Sequence, residues 1–244
     1  MNDIILSIVI PVFNEEKTIQ RVLEDHLREI RAVEGSLKGW EIVCVDDAST
    51  DDSFVTMSRI AQDQPKIRVL RHASNQGIAA SFDHLFKESK GTHIYLTAGD
   101  DQWPATNLNV LWERLKGTSA DLVIGVRHNR QKVYTPWRRL LSFTFNAIPK
   151  MLYGVDTQDA NGIKLGLREI FVMPLVSRSF FAEVERIITA GRQGYKIAYA
   201  PIAFKERASG KAKGAGWRNI GTTLRDLIKF LVRPHERSNQ IHSS

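Results

Sequence analysis

The stretch YLTAGDDQWP, residues 95–104, runs from an apolar, strand-like segment straight into Asp100 and Asp101, followed by Gln102 and a turn proline. Side-by-side carboxylates repel one another and persist either in open water or around a cation. An exposed Gly-Asp-Asp turn is the simpler of those two readings, and the rest of the chain has to discriminate between them. Other polar clusters stand in the same context, each closing or following an apolar run: Asn14-Glu15 after IILSIVIPVF, Asp46-Asp47 after WEIVCV, Asn75 after KIRVLRH, and Arg127 at the end of ADLVIGVR. Carboxylates around a hard cation suit magnesium or manganese, and a site of that kind typically serves a diphosphate. The competing chemistries lack their signatures. There is no G-x-G-x-x-G after the first run, no G-x-x-x-x-G-K-[ST], no G-x-S-x-G and no paired histidines at zinc spacing. The single cysteine, Cys44, lies within EIVCVDD; it reads as inert core in a reducing compartment.

Such residues can act together only if the elements before them bring them together. The first half of the chain alternates strand and helix signals. After the first run, Ile19, Val22, Leu23, Leu27, Ile30 and Val33 recur at the helical period, with Asn14 expected as the cap. STDDS is expected to cap a second helix reaching about residue 63, Gly77 starts a third, and a fourth covers 105–117. The alternation predicts an α/β fold with a mostly parallel sheet and helices on both faces. In open sheets of that class, ligands bind outside the carboxyl ends of the strands. The polar clusters would then share one edge and form a single acidic pocket.

The chain has 244 residues and a net charge of +7. Residues 201–237 hold nine Lys or Arg against three acids, +6 of that excess, which points to an anionic partner. In the same region Trp217, Ile220, Leu224, Leu227, Ile228 and Leu231 follow helical spacing, with Arg218, Arg225, Lys229 and Arg233 on the other side. Two readings stay open for that helix: an interfacial helix on a membrane surface, or an amphipathic helix closing the core. No apolar stretch reaches 18 residues, so no transmembrane anchor is expected. The expected organisation is one domain over 1–215, the amphipathic helix over 216–233 and a disordered tail over 234–244.

IVIPVFNEE, VDDASTDDS, NQGIAASF and DLVIGVR, in this order and spacing, resemble the family 2 glycosyltransferases of GT-A (Rossmann-like) fold. The later half is similar to the dolichol-phosphate mannose synthase and polyprenyl-phosphate glycosyltransferase branch, through RRLLSFTFN, DTQDANGIK, FFAEVERIITAGRQGYKIAYAPI and KERASGKAK. The resemblance runs from about residue 5 to about residue 215. It implies that Asp46 and Asp47 hold the base and ribose of a nucleotide-sugar donor, with Pro11, Phe13 and Glu15 completing that pocket. It further implies that Asp100 ligates Mg2+ or Mn2+ on the diphosphate, with Gln102 next to it. Arg127, Arg138 and Ser142 would contact phosphate or sugar, while Arg207 and Lys213 would cover the pyrophosphate and the acceptor phosphate. The chain departs from the family pattern in three places. Ala98 stands where the first acid of D-x-D is usual, two extra residues precede Gly162, and GKAK has alanine where serine is usual.

The implied reaction is transfer of one sugar, with inversion, from a nucleotide-diphosphate sugar to a polyprenyl phosphate. The implied location is peripheral, at the cytoplasmic face of a membrane, with a membrane-protein partner or a second copy as further possibilities. A family 2 enzyme acting on a sugar hydroxyl would instead need a carboxylate base, for which Asp159 and Glu185 are the candidates. A relative that holds nucleotide without turnover is the third reading. Nucleic acid is not an expected partner, because no recognised motif accompanies the basic end.

Overall fold

The structure, a computed structural model, describes residues 5–127, 155, 159–179, 181–205 and 217–232. Among the described residues, seven strands form one sheet: β1 Ile5–Val12, β2 Gly39–Asp46, β3 Ile67–Arg71, β4 His93–Leu96, β5 Leu122–Arg127, β6 Lys164–Leu167 and β7 Ile197–Ile202. Their order is β3-β2-β1-β4-β6-β5-β7, and all run parallel except β6, which pairs antiparallel with both β4 and β5. The mostly parallel α/β sheet is therefore present, with five strands where the alternation places them. The last two have weaker signals: β6 is a four-residue segment that begins with a lysine, and β7 carries Pro201 near its end. Proline is tolerated there because β7 is at the edge of the sheet among the described residues. Gly166 lets β6 lie between its neighbours, since a Cβ at that position would stand 2.5 Å from the Asp121 carbonyl oxygen.

Helices α1 Ile19–Glu34, α2 Ser53–Asp63 and α4 Asn107–Thr118 cover one face. The other is covered by α3 Ile78–Glu88, the short α5 Arg168–Phe171, α6 Phe181–Arg192 and α7 Trp217–Val232. Alternate residues of the central strands feed the two layers: Ile8, Ile10, Ile42 and Cys44 pack under α1, whereas Val9, Val43, Val45 and Ile94 pack under α3. On α1, Ile19, Val22, Leu23, Ile30 and Val33 are buried, as the periodicity requires. Burial pushes the Cys44 thiol up to about 12, so it stays protonated and unreactive at neutral pH.

The C-terminal helix packs on the second layer, while Ile228, expected on its apolar side, is exposed. Leu227 and Phe230 are buried in the second core cluster, and Phe230 meets Phe181 edge-on at 5.7 Å. Asp226, also buried, accepts the backbone N–H groups of Arg178 and Ser179 at 3.0 Å each. The opposite face presents Arg225, Ile228, Lys229 and Val232 outward. No described helix is long and apolar enough to cross a membrane.

Candidate active site

Because β1 to β5 are mutually parallel, the segments after them meet at one edge of the sheet. The edge is interlocked by its own backbone. Asn14, expected as a helix cap, does something else: α1 begins five residues later, behind Thr18. Asn14 has φ 56° and its Oδ1 accepts the Thr50 N–H at 2.8 Å, while its own N–H donates to Ser49 Oγ at 2.9 Å. It ties the loop after β1 to the loop after β2. The Glu15 N–H adds a bond to Ser53 Oγ at 2.8 Å, and Thr18 Oγ1 donates to the Gly99 carbonyl at 2.7 Å, reaching the loop after β4. Partial burial alone would raise the Asp51 carboxyl, but the Ser53 hydroxyl and the N–H groups of Ser53 and Glu16 hold it below its ordinary value. Four described non-glycine residues have positive φ, and three of them, Asn14, Ala48 and Asp101, lie in these loops. Backbone strain of this kind gathers at ligand sites.

The two acids after β2 have different surroundings. Asp47 is buried and turned into the protein: Oδ1 accepts the Gln76 N–H at 2.8 Å and stands 2.7 Å from His72 Nδ1, while Oδ2 accepts the Gly77 N–H at 2.8 Å. Glycine suits position 77, where φ is +86°. Asp46 is fully buried too. Its Oδ2 accepts the Ser49 N–H at 3.2 Å and pairs with Arg71 Nε at 3.1 Å. Its Oδ1 meets no hydrogen-bond donor among the described residues. A buried acceptor left in that state costs about 1–3 kcal/mol, which a donor on a ligand would relieve. Pro11 is buried in β1 opposite Val45, and Phe13 and Glu15 follow it, half-buried, on the next loop.

After β4 the two adjacent acids also part company. Asp101, at φ 55°, is bound by Arg21 Nη2 at 2.6 Å and approached by Lys205 Nζ at 3.4 Å. Asp100 accepts the Gln102 N–H at 3.2 Å. Gln102 in turn pairs with Lys205 through its carbonyl, at 2.8 Å, and through Nε2 to the Lys205 carbonyl, at 3.4 Å. Trp103 and Phe204 stand edge to face at 4.7 Å, and the Arg127 guanidinium lies over both rings. Arg127 is clamped by Asp159: Nη2 to Oδ1 at 2.6 Å, and Nε and the backbone N–H to Oδ2 at 2.8 and 3.2 Å. Glu185, the other candidate base, is buried and accepts the Val176 and Ser177 N–H groups at 2.8 and 2.9 Å.

The edge thus gathers Pro11, Phe13, Glu15, Asp46, Asp47, Asp100, Gln102 and Arg127. Arg138, Ser142, Arg207 and Lys213 lie outside the described residues. Sequence reading passed over Arg21, Arg71, His72, Trp103, Phe204 and Lys205, whose roles arise from pairing across loops and leave no local motif. A depression of about 860 Å³ bounded by Lys87–Thr92 and Leu167–Glu169 is at the opposite end of β4 and holds none of the expected residues. No described group of three or more His, Cys, Asp or Glu is arranged to hold a metal by itself.

Comparison with known proteins bears on this edge. The model of glycosyl transferase family 2 matches residues 7–176. A dolichyl-phosphate beta-glucosyltransferase of Trichomonas vaginalis is 30% identical over 241 residues, 93% of this chain and 73% of that one. A dodecaprenyl-phosphate galacturonate synthase of Rhizobium johnstonii is 27% identical, over 93% of this chain and 65% of its own. Among solved structures, glucosyl-3-phosphoglycerate synthase from Mycobacterium tuberculosis, in complex with Mn2+, UDP and phosphoglyceric acid, superposes with a TM-score of 0.68. It is 19% identical, and the match covers 95% of this chain and 80% of that one.

Proposed function

Since the chain belongs to glycosyl transferase family 2, we propose that it moves one sugar from a nucleotide-diphosphate donor to a polyprenyl phosphate, with inversion at the anomeric carbon. The observation that carries this choice of acceptor concerns bases. A hydroxyl acceptor needs a carboxylate to take its proton. Both candidates are buried and already engaged, Asp159 by Arg127 and Glu185 by two backbone N–H groups. A phosphate monoester has a second pKa of about 6 and is already anionic at neutral pH. It attacks the anomeric carbon without a protein base; the bond from that carbon to the donor diphosphate breaks, and its electron pair leaves on the diphosphate oxygen. The relatives named for dolichyl and dodecaprenyl phosphate support the same acceptor class.

On this reading the orphan Asp46 Oδ1 meets an N–H of the donor's base, and Asp47 fixes the loop that aims it. Pro11, Phe13 and Glu15 wall the same pocket. The residues fit a divalent ion held jointly with the donor: Asp100 would supply one carboxylate, while Asp101 is held by Arg21 and Lys205. When bound, Mg2+ or Mn2+ would neutralise charge on the leaving diphosphate. Gln102 and Lys205 steady the loop that carries Asp100. Arg207 and Lys213 are proposed as the cations between the two phosphates, and Arg127, Arg138 and Ser142 as contacts to phosphate or sugar. The outward face of α7, with Arg225 and Lys229 beside Ile228 and Val232, 52% and 76% exposed, suits the surface of an anionic membrane where such an acceptor resides. The location that goes with this reading is the cytoplasmic face.

The test is a transfer assay with UDP- and GDP-sugars against polyprenyl phosphate, free polyprenol and soluble glycans. Sugar on the lipid phosphate alone is the expected outcome. Transfer to a glycan hydroxyl with none to the lipid phosphate would overturn the proposal.

A further inference from the structure

We propose that His72 and His84 form a positioning relay that sets how the donor's base is recognised, acting through Asp47; this rests on the donor pocket described above. Asp47 is the fastening between two loops. Its carboxylate takes the N–H groups of Gln76 and Gly77, and its carbonyl takes Asn75 Nδ2 at 3.2 Å. Its own N–H donates to the Val12 carbonyl at 2.8 Å. The end of β1 and the loops after β2 and β3 therefore meet at one residue, through its backbone and its carboxylate, and its neighbour is Asp46 with its orphan oxygen. Ala48, at φ 58°, completes the turn.

His72 closes this set. Its Nδ1 is 2.7 Å from Asp47 Oδ1, and an ionised carboxylate only accepts, so Nδ1 carries the proton. His72 Nε2 stands 2.9 Å from His84 Nδ1, so one ring donates to the other and the two are linked. His84 sits in α3, the helix that Asp47 holds at its first turn, so the chain Asp47–His72–His84 returns to the same helix. His72 is 7% exposed and His84 half-buried, and the two rings lie nearly parallel with centroids 5.1 Å apart. A network of this kind fixes tautomer and ring orientation, and through them the direction of the carboxylate. The second and third members matter because Asp46 must present one oxygen to one base and not to another.

The experiment measures Kd for UDP and GDP, with manganese, by calorimetry on the full chain and four variants. His72→Leu removes both imidazole bonds at similar volume. It is expected to weaken the better-bound nucleotide about tenfold, the equivalent of one charge-assisted hydrogen bond, and to narrow the UDP-to-GDP ratio. His72→Asn places an amide N–H where Nδ1 stood and is expected to restore most of the loss. Should His72→Leu fail to fold, His84→Leu leaves Asp47 bonded and is expected to weaken the same nucleotide about threefold, a fraction of one hydrogen bond. Asp46→Asn tests the pocket itself. Wild-type affinity in Asp46→Asn overturns the donor-pocket reading and the relay with it. Loss in Asp46→Asn with unchanged affinity and ratio in the folded histidine variants overturns the relay alone. Equal weakening of both nucleotides in those variants would mean a general structural role and also overturns it.

Discussion

Two adjacent acids with unlike partners define the residue scale. Asp101 is tied to Arg21 on α1 and to Lys205 after β7, so its charge is spent on holding three segments together. Asp100, the proposed metal ligand, has no second carboxylate at position 98 to share that role. Asp100→Asn is therefore expected to abolish metal-dependent transfer, whereas Asp101→Asn retains measurable activity and loses thermal stability, about 0.5–1.5 kcal/mol for exchanging ion pairs for neutral bonds. Initial rates against manganese concentration, with a thermal melt of each variant, decide the order; the reverse order would place the metal on Asp101. The positions of these acids were legible in the sequence, because the ends of parallel strands share an edge. Which acid is clamped by cations was not. That depends on Arg21, some 80 residues away in sequence, and on Lys205, more than 100 away. The same holds for Asp46 and Asp47, which only the partners of each oxygen tell apart. Asn14 shows the converse, since a residue type suited to a helix cap was used to bind the neighbouring loop.

At the scale of elements, β6 carries the least expected feature. Lys164 is fully buried in a strand between β4 and β5, with Nζ 3.0 Å from Glu183 on α6 and a bond to the Gly162 carbonyl at 3.1 Å. Arg186 pairs with Glu183 at 3.3 Å and donates to the carbonyls of Ile170 and Phe171. Burial would raise the Glu183 carboxyl; the charges of Lys164 and Arg186 and their hydrogen bonds outweigh it and hold the group below its ordinary 4.5. A depressed carboxyl stabilises the fold above the unfolded value and loses that stabilisation as pH falls through the folded one. Wild type should thus lose stability below about pH 4.5 in part through this group. Glu183→Gln should be less stable at neutral pH, by about 3–5 kcal/mol for two buried cations left short of an anion, with a flatter acid limb. Denaturant titrations between pH 3 and 7 measure both, and parallel pH curves for the two proteins would remove Glu183 from that linkage. The strand escaped sequence reading because a lysine in a four-residue segment is a poor strand signal, and its compensating anion is 19 residues further on in another element.

For the whole molecule, helix α7 bears on the two readings that its sequence left open. Leu227 and Phe230 pack into the core, and a basic, partly apolar face with Ile228 remains outside. The purified protein is expected to co-sediment with anionic vesicles, less so at high salt, and Arg225→Glu with Lys229→Glu should abolish it without unfolding. Equal recovery with and without vesicles would confine α7 to the core. The central claim is that the nucleophile is a phosphate whose ionisation the acceptor itself supplies. Its most direct test is the pH dependence of kcat/KM with polyprenyl phosphate and with the corresponding, less acidic phosphonate. The expected profile rises with an inflection at about 6 for the phosphate, moves upward with the phosphonate, and keeps its inflection in Asp159→Asn and Glu185→Gln. An inflection that is the same for both acceptors and disappears in either variant would place the ionisation on an enzyme carboxylate and contradict the claim.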